Sequence, residues 1–552
     1  MFIGRLDGWT IGALITALLI AVPILTVFVV AIAPSDDIWA HLATTVLPHY
    51  ISTTLILMLG VGTGTLIIGT GTAWLVTMCR FPGHKLFEWA LVLPLAVPAY
   101  VIAYVYTDLL EYAGPIQIAL RNVFGWTSYR DYWFPEIRSL GGAISMMTLV
   151  LYPYVYLLAR AAFLEQSVCV LEASRTLGKS PWQSFIQVAL PLARPAVIAG
   201  VSLVMMETLN DFGTVDYFAV ATFTAGIYDV WLNMNSISGA AQLATVMLMF
   251  VIALVAMERL ARKGRKFHHT GSQYSVLPTM QLRGLKAFSA TLMCLLPIAL
   301  GFAVPASVLV NYSLDFYHIT LNSNFLLYTA NSLLLAVSSA LLAVIIGLFL
   351  AYAVRLQGSP MLIAATRIAS IGYAIPGAVL AIGVILPLSL FDNGIDAFMR
   401  ETFDISSGLL LSGTVIAVII GYLVRFLALS FGTLEASLSK ITVNMDGASR
   451  TLGHGPASTL KRIHLPLMRS SILTAGILVF VDVMKELPMT MLLRPFNFET
   501  LATYVHQYAS DELLEECALG ALSIVGAGIL PVIILSAAIA RSRPGNQSQT
   551  NT

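Results

Sequence analysis

The sequence predicts an all-α polytopic membrane protein of about 12 transmembrane helices, and three observations carry that prediction. Of the 552 residues, 58% are hydrophobic and only 11% are charged, against about 25% charged in an ordinary soluble domain. The mean hydropathy is +0.83. Apolar runs of about 20 residues, long enough to cross a bilayer as a helix, recur along the whole chain. Together these exclude a soluble enzyme, a nucleic-acid binder and a disordered chain. The 40 glycines and 24 prolines fit a bundle of membrane helices, which tolerates both. A net charge of +1 offers nothing to a polyanion, so the lipid bilayer is an expected partner and nucleic acid is not.

Taken in order, the spans are expected at 10–33, 52–79, 88–110, 140–163, 190–212, 239–259, 286–310, 326–354, 361–390, 408–430, 467–488 and 516–540. The first ends near Ala31-Ile32-Ala33, which resembles a signal-peptidase site. Its apolar run is longer than the roughly 7–15 residues of a secretory core, so it reads as a span. With the N-terminus inside, about 24 of the Lys and Arg residues fall on the cytoplasmic side, as the positive-inside rule requires. Arg80, Lys179, Arg262, Lys263, Lys440, Arg450, Lys461 and Arg541 are among them, while Asp36, Asp37, Asp404, Asp511 and Glu512 collect on the other side. An even number of spans then leaves both termini in the cytoplasm.

The chain repeats itself. Tyr50-Ile-Ser-Thr-Thr54 matches Tyr328-Thr-Ala-Asn-Ser332 at an offset of 278, which also sets Gly69 on Gly347 and Ala96-Val-Pro98 on Ala374-Ile-Pro376. Three residues later in register, Arg175-Thr-Leu-Gly178 falls on Arg450-Thr-Leu-Gly453, and Leu190-Pro-Leu192 on Leu465-Pro-Leu467. The expected organisation is a first six-helix half at 1–260, a basic cytoplasmic linker at 261–285 and a second six-helix half at 286–552. Both halves run the same way, so they are parallel repeats with a path between them.

The loop after the fourth span of each half is the informative one. In the first, a helix is expected to run to Gly178, whose lack of a side chain suits the left-handed residue after a helix end. Ser180 then caps a second helix, with Pro181 at its first position and Gln183 closing a capping box. The second half repeats the plan with Gly453, Pro456 and Pro466. Ala173, Ser174, Ala448 and Ser449 are small enough to let another surface approach. Gly178-Lys-Ser180 ends like a phosphate-binding loop, but that motif needs glycine where Ala173 stands, so ATP hydrolysis is expected in a separate polypeptide.

These residues carry a family resemblance. Glu172-Ala-Ser, Gly178 and Leu190-Pro191 resemble the "EAA" coupling loop of permease subunits in binding-protein-dependent ABC importers. The resemblance implies a type I importer permease fold and ATPase docking at Glu172, Ala173, Ser174 and Gly178, and again at Ala448, Ser449 and Gly453. The second copy departs from the pattern, with Gly447 at the glutamate position and Asp446 beside it. Asn210-Asp-Phe-Gly-Thr-Val-Asp-Tyr-Phe218 and Lys485-Glu-Leu-Pro-Met-Thr-Met-Leu-Leu-Arg-Pro-Phe-Asn-Phe498 resemble the fused permeases of ferric-iron importers over nearly the whole chain. Implied partners are a cytoplasmic ABC ATPase dimer, which uses the ATP, and a periplasmic or extracellular substrate-binding protein. The implied location is a bacterial inner membrane. No cofactor is expected on this chain. Thiamine, polyamine and sulfate permeases share the architecture, and an ion-coupled secondary transporter is the rival class.

Glu207 and Asp211 are four apart and share a helix face, and Asp482 and Glu486 repeat the pair. All four lie near the end of a fifth span. Carboxylates at a helix C-terminus oppose its dipole, so a compensating group is expected, and Lys485 stands within reach of Asp482. Three roles fit: an outer gate on the substrate path, a contact for the binding protein, or structure alone. Other features read as background. Cys79, Cys169, Cys294 and Cys517 look like core residues, His268-His269 like a polar linker, and Tyr152, Tyr154 and Tyr156 like interfacial or packing residues. Gly60, Gly62, Gly64, Gly69 and Gly71 look like sites of close helix packing. No metal site is expected.

Overall fold

The computed structural model describes residues 8–32, 38–165, 174, 176–262 and 280–541. Most of them are helical. Ten helices among them are long and apolar enough to cross a bilayer, and the pair His84–Ala96 and Ala99–Phe124, bent by 90° at its break, passes the same test as one broken span. The helix Leu514–Arg541 runs for 28 residues where the last span was expected. One small departure from all-helical structure is a two-residue parallel pairing of Cys79–Arg80 with Met280–Gln281.

Two spans expected as continuous are broken, at matched places. The 88–110 run turns at Val97-Pro98, and the 361–390 run becomes Pro360–Ala369, a short 3-10 turn and then Gly377–Phe403. Val97 and Ile375 are extended, with ψ of 121° and 130°. A proline drives the residue before it out of the helical region, and Pro98 and Pro376 do so in the middle of apolar sequence.

By packing, the chain forms two compact units, each assembled from separate stretches. One holds 1–46, 226–248 and 321–504, and the other 47–225, 249–320 and 505–552. The units follow contact, whereas the two-half division follows sequence similarity. Inside the first unit, the helix Ser323–Gln357 packs on Val415–Ser439 and Leu465–Met484, and the first helix, Gly8–Ala31, lies against Pro360–Ala369 and Gly377–Phe403. Inside the second, Leu47–Met78 packs on Leu140–Glu165 and Leu190–Asn210, and Val304–Thr320 lies against Leu514–Arg541.

The same crossing recurs at matched glycines. A Cβ on Gly69 would stand 2.9 Å from the Tyr152 carbonyl and 2.8 Å from Val155 Cβ, and one on Gly347 would stand 2.7 Å from Ser430 Oγ and 3.0 Å from the Phe431 nitrogen. Gly60, Gly62 and Gly64 are likewise pressed by Ile144, Met205 and Thr148. Gly71 has nothing within 4 Å and so is not a packing glycine. Tyr152 and Tyr156 are fully buried; the Tyr156 hydroxyl donates to the Glu88 carbonyl at 2.9 Å. Cys79, Cys294 and Cys517 are buried and form no disulfide among the described residues; Cys169 and His268-His269 lie outside the described residues.

Candidate functional site: two repeated loops and two acidic anchors

Among the described residues, both loops share one geometry. Gly178 and Gly453 sit at φ of 77° and 81°. A Cβ on either would touch nothing within 4 Å, so glycine is required there for its left-handed backbone rather than for space. The Lys179 nitrogen donates to the Ser174 carbonyl, and the His454 nitrogen to the Ser449 carbonyl, each at 3.1 Å. The Ser174 and Ser184 hydroxyls meet at 2.8 Å, and those of Ser449 and Thr459 meet at the same distance. A π-helical turn follows in each, at Phe185–Ala189 and Leu460–His464. Such turns recur at functional sites in helices.

The capping box expected at Ser180 forms. The Gln183 side chain accepts from the Ser180 nitrogen at 2.9 Å, and the Ser180 hydroxyl accepts from the Gln183 nitrogen at 3.2 Å. Glu172 and Ala173 lie outside the described residues. Gly447 and Ala448 are exposed, while Ser449 is buried. Asp446 points inward, 2.9 Å from Arg355 Nε and 2.7 Å from His464 Nε2. Burial raises the Asp446 carboxyl, and these two hydrogen bonds outweigh it and hold the group below the usual carboxylate range. One residue of each loop escaped the sequence reading. Leu177 and Leu452, each just before the glycine, are 80% and 76% exposed. The readable signal was an apolar residue at one repeat position of a polar loop.

The acidic pairs are placed by helix ends. Asp211 follows the helix Leu190–Asn210 and anchors the next, Gly213–Tyr217. Its carboxylate accepts from the Thr214 and Val215 nitrogens at 3.0 and 3.3 Å and from the Thr214 hydroxyl at 3.1 Å. Glu486 does the same for Pro488–Leu493, accepting from the Met489 nitrogen at 3.1 Å, the Thr490 nitrogen at 3.0 Å and the Thr490 hydroxyl at 2.9 Å. Each carboxylate thus meets the positive N-terminus of the following short helix, which offsets part of its charge.

The two anchors differ in charge balance. Glu486 is buried and pairs with buried Arg425 at 3.1 Å. A Cβ on Gly377 would collide with both of them. In the first half the matching positions are Val150 and Ala99. Burial pushes the Asp211 carboxyl up to about 6, against the hydrogen bonds of Thr214 and Val215, and Glu207 adds to the rise. Lys485 and Asp482 form the expected pair, at 3.0 Å. Glu207 is half-buried.

Arg425 and His506 were missed by sequence reading. A lone arginine inside an apolar span was the available signal for Arg425. Nothing flagged His506, whose Nδ1 lies 2.5 Å from the Tyr104 hydroxyl and whose Nε2 lies 3.7 Å from Asp216. Burial pushes His506 down to about 4, so its ring is neutral near pH 7. Among the described residues, no three His, Cys, Asp or Glu side chains gather in a way that could hold a metal ion.

Residues 65–266 match the family of binding-protein-dependent transport system inner membrane components. The chain is 26% identical over 500 residues to the Fe(3+)-transport system permease protein FbpB 2 of Haemophilus influenzae, covering 88% of this chain and 89% of the relative. It is 30% identical over 201 residues to the molybdenum transport system permease protein ModB of Escherichia coli, covering 35% of this chain and 84% of the relative. For the sulfate transport system permease protein CysW of the same organism the identity is 31% over 206 residues, covering 37% and 68%.

Proposed function

We propose, given that the chain belongs to the family of binding-protein-dependent transport system inner membrane components, that it is the fused permease of an ATP-driven importer of ferric iron. The observation that carries the reading is the pair of loops. Two copies of one glycine turn, hydroxyl contact and π-helical turn, set 275 residues apart, suit two identical ATPase subunits acting on one chain. An ion-coupled transporter has no motor to receive them. The extent of the relatives favours iron. The molybdenum and sulfate permeases match about a third of the chain, whereas the Fe(3+) permease matches 88% of it.

In this reading the chain lies in a bacterial inner membrane with both termini and both loops in the cytoplasm. A substrate-binding protein delivers iron on the opposite face. ATP closes the ATPase dimer, the loops carry that motion into the spans, and hydrolysis resets them. The chain itself binds no cofactor and hydrolyses nothing. Glu207, Asp211, Asp482, Lys485 and Glu486 shape the outer end of the path. Asp211 and Glu486 do so by fixing the two short helices rather than by lying free in a gate.

The test is uptake of labelled ferric iron, with labelled thiamine, molybdate and sulfate in parallel, in cells with and without the gene. Loss of iron uptake alone is the expected result. Loss of another solute instead would overturn the substrate. Purification of the chain without any ATPase would overturn the class.

A further inference from the structure

The second loop is fastened to the spans by three side chains that have no counterpart in the first. Arg355 lies in the last turn of the helix Ser323–Gln357. Its Nε donates to Asp446 Oδ2 at 2.9 Å, its Nη2 to the Ile441 carbonyl at 2.9 Å and its Nη1 to the Leu438 carbonyl. Those carbonyls close the C-terminal end of the helix Val415–Ser439, where a cation also meets the negative end of the dipole. The other oxygen of Asp446 meets Nε2 of His464, which is fully buried in the π-helical turn. The His464 ring packs edge-on against Tyr352 at 5.4 Å, and the Tyr352 hydroxyl donates to the Pro456 carbonyl at 2.7 Å. Arg355 and the Asp446 carboxylate thus together join two span ends, the loop helix Val443–Thr451 and the turn Leu460–His464.

In the repeat register, Arg355, Asp446 and His464 correspond to Thr77, Leu171 and Ala189. The three polar groups are absent from the first half as a set, and the Thr77 hydroxyl turns back to the Ala73 carbonyl at 2.7 Å. A charge-assisted network of this kind is stronger and more directional than neutral hydrogen bonds. It also fixes which residues face outward. With Asp446 held inside, Met445, Gly447 and Ala448 are left exposed, and a Cβ on Gly447 would meet nothing within 4 Å.

We propose that Arg355, Asp446 and His464 are positioning residues that clamp the second ATPase-docking loop to the ends of two spans, making the two halves unequal transmitters of ATPase motion. The clamp rests on the functional reading above. It implies that the second loop moves with its helices as one body. The acid beside the family's glutamate position serves that attachment and is not presented to the partner.

The experiment measures substrate moved per ATP hydrolysed by the permease–ATPase complex in proteoliposomes supplied with the loaded substrate-binding protein, together with ATPase retained on the purified permease. Arg355→Gln is expected to lower transport per ATP at least about fivefold, a coupling energy in the usual range for linked sites, with the ATPase retained. Arg355→Gln combined with Asp446→Asn should be no worse than either alone, because the two act through each other. His464→Gln, which keeps an N–H for Asp446, should stay near wild type, while His464→Leu should not. This pair decides the matter if Arg355→Gln fails to accumulate. Unchanged transport per ATP, loss of the ATPase in step with transport, or equal loss in His464→Gln and His464→Leu would each overturn the clamp. Absence of ATP-dependent transport by the wild-type complex would overturn the functional reading, and the clamp's role with it.

Discussion

At the scale of single residues, Arg425 and Glu486 set the largest stakes. Both are buried, and a buried ion pair broken on one side leaves an uncompensated charge that costs about 3–5 kcal/mol. Arg425→Met should lower unfolding stability in detergent by that order, and adding Glu486→Gln should recover part of it. Equal stability of the single and double variants would contradict the pairing. Asp211 makes a different prediction. Its carboxyl is raised from the ordinary 3.8 to about 6, so the folded state holds the proton more tightly than the unfolded chain. The stability tied to this group is fully present below pH about 4 and is lost as pH rises through about 6. Melting temperature should therefore fall between pH 4 and 7 more steeply in wild type than in Asp211→Asn. The acids themselves were legible as repeated pairs. Their partners were not, because spacing along one helix reports only neighbours three or four residues away, and Arg425 lies 61 residues from Glu486.

At the scale of elements, glycines separate the packed crossings from the open ones. Gly69→Leu would drive a side chain into the backbone of Tyr152 and Tyr156, where overpacking costs about 1–3 kcal/mol or more. Gly71→Leu starts from a Cβ that meets nothing within 4 Å. The first should reduce membrane abundance or melting temperature, and the second should not. The cap at Ser180 is more modest. Ser180→Ala removes one of the two capping-box bonds and should cost about 1 kcal/mol, seen as faster hydrogen exchange at the start of the helix Pro181–Ser184. The glycine stop at 178, the capping box and the doubling of the loop were readable because each depends on residues close in sequence. The breaks at Pro98 and Pro376 were not, since a hydropathy window averages over a proline without registering the lost helical conformation before it.

At the scale of the whole molecule, the compact units cut across the repeat. The first helix packs within the unit that holds residues 321–504, where a Cβ on Gly383 would collide with the Pro23 carbonyl and Trp9 stacks on Phe349 at 5.5 Å. A fragment of residues 1–260 therefore lacks the surfaces that its first helix covers. Expressed alone, 1–260 and 286–552 should each be degraded, and expressed together they should accumulate. Stable accumulation of either fragment alone would contradict this dependence. Sequence similarity revealed that the chain repeats, but it carries no information about which copy of a surface a helix will choose.

The gap at Gly377 turns the two repeats into parts that can no longer be exchanged. A second half rewritten from the first would set the Ala99 methyl group where Arg425 and Glu486 meet, and Val150 where the guanidinium stands. Drift at these three positions is consequently collective: a descendant that loses the arginine must also discard the glutamate's charge, and only then is it free to refill the glycine.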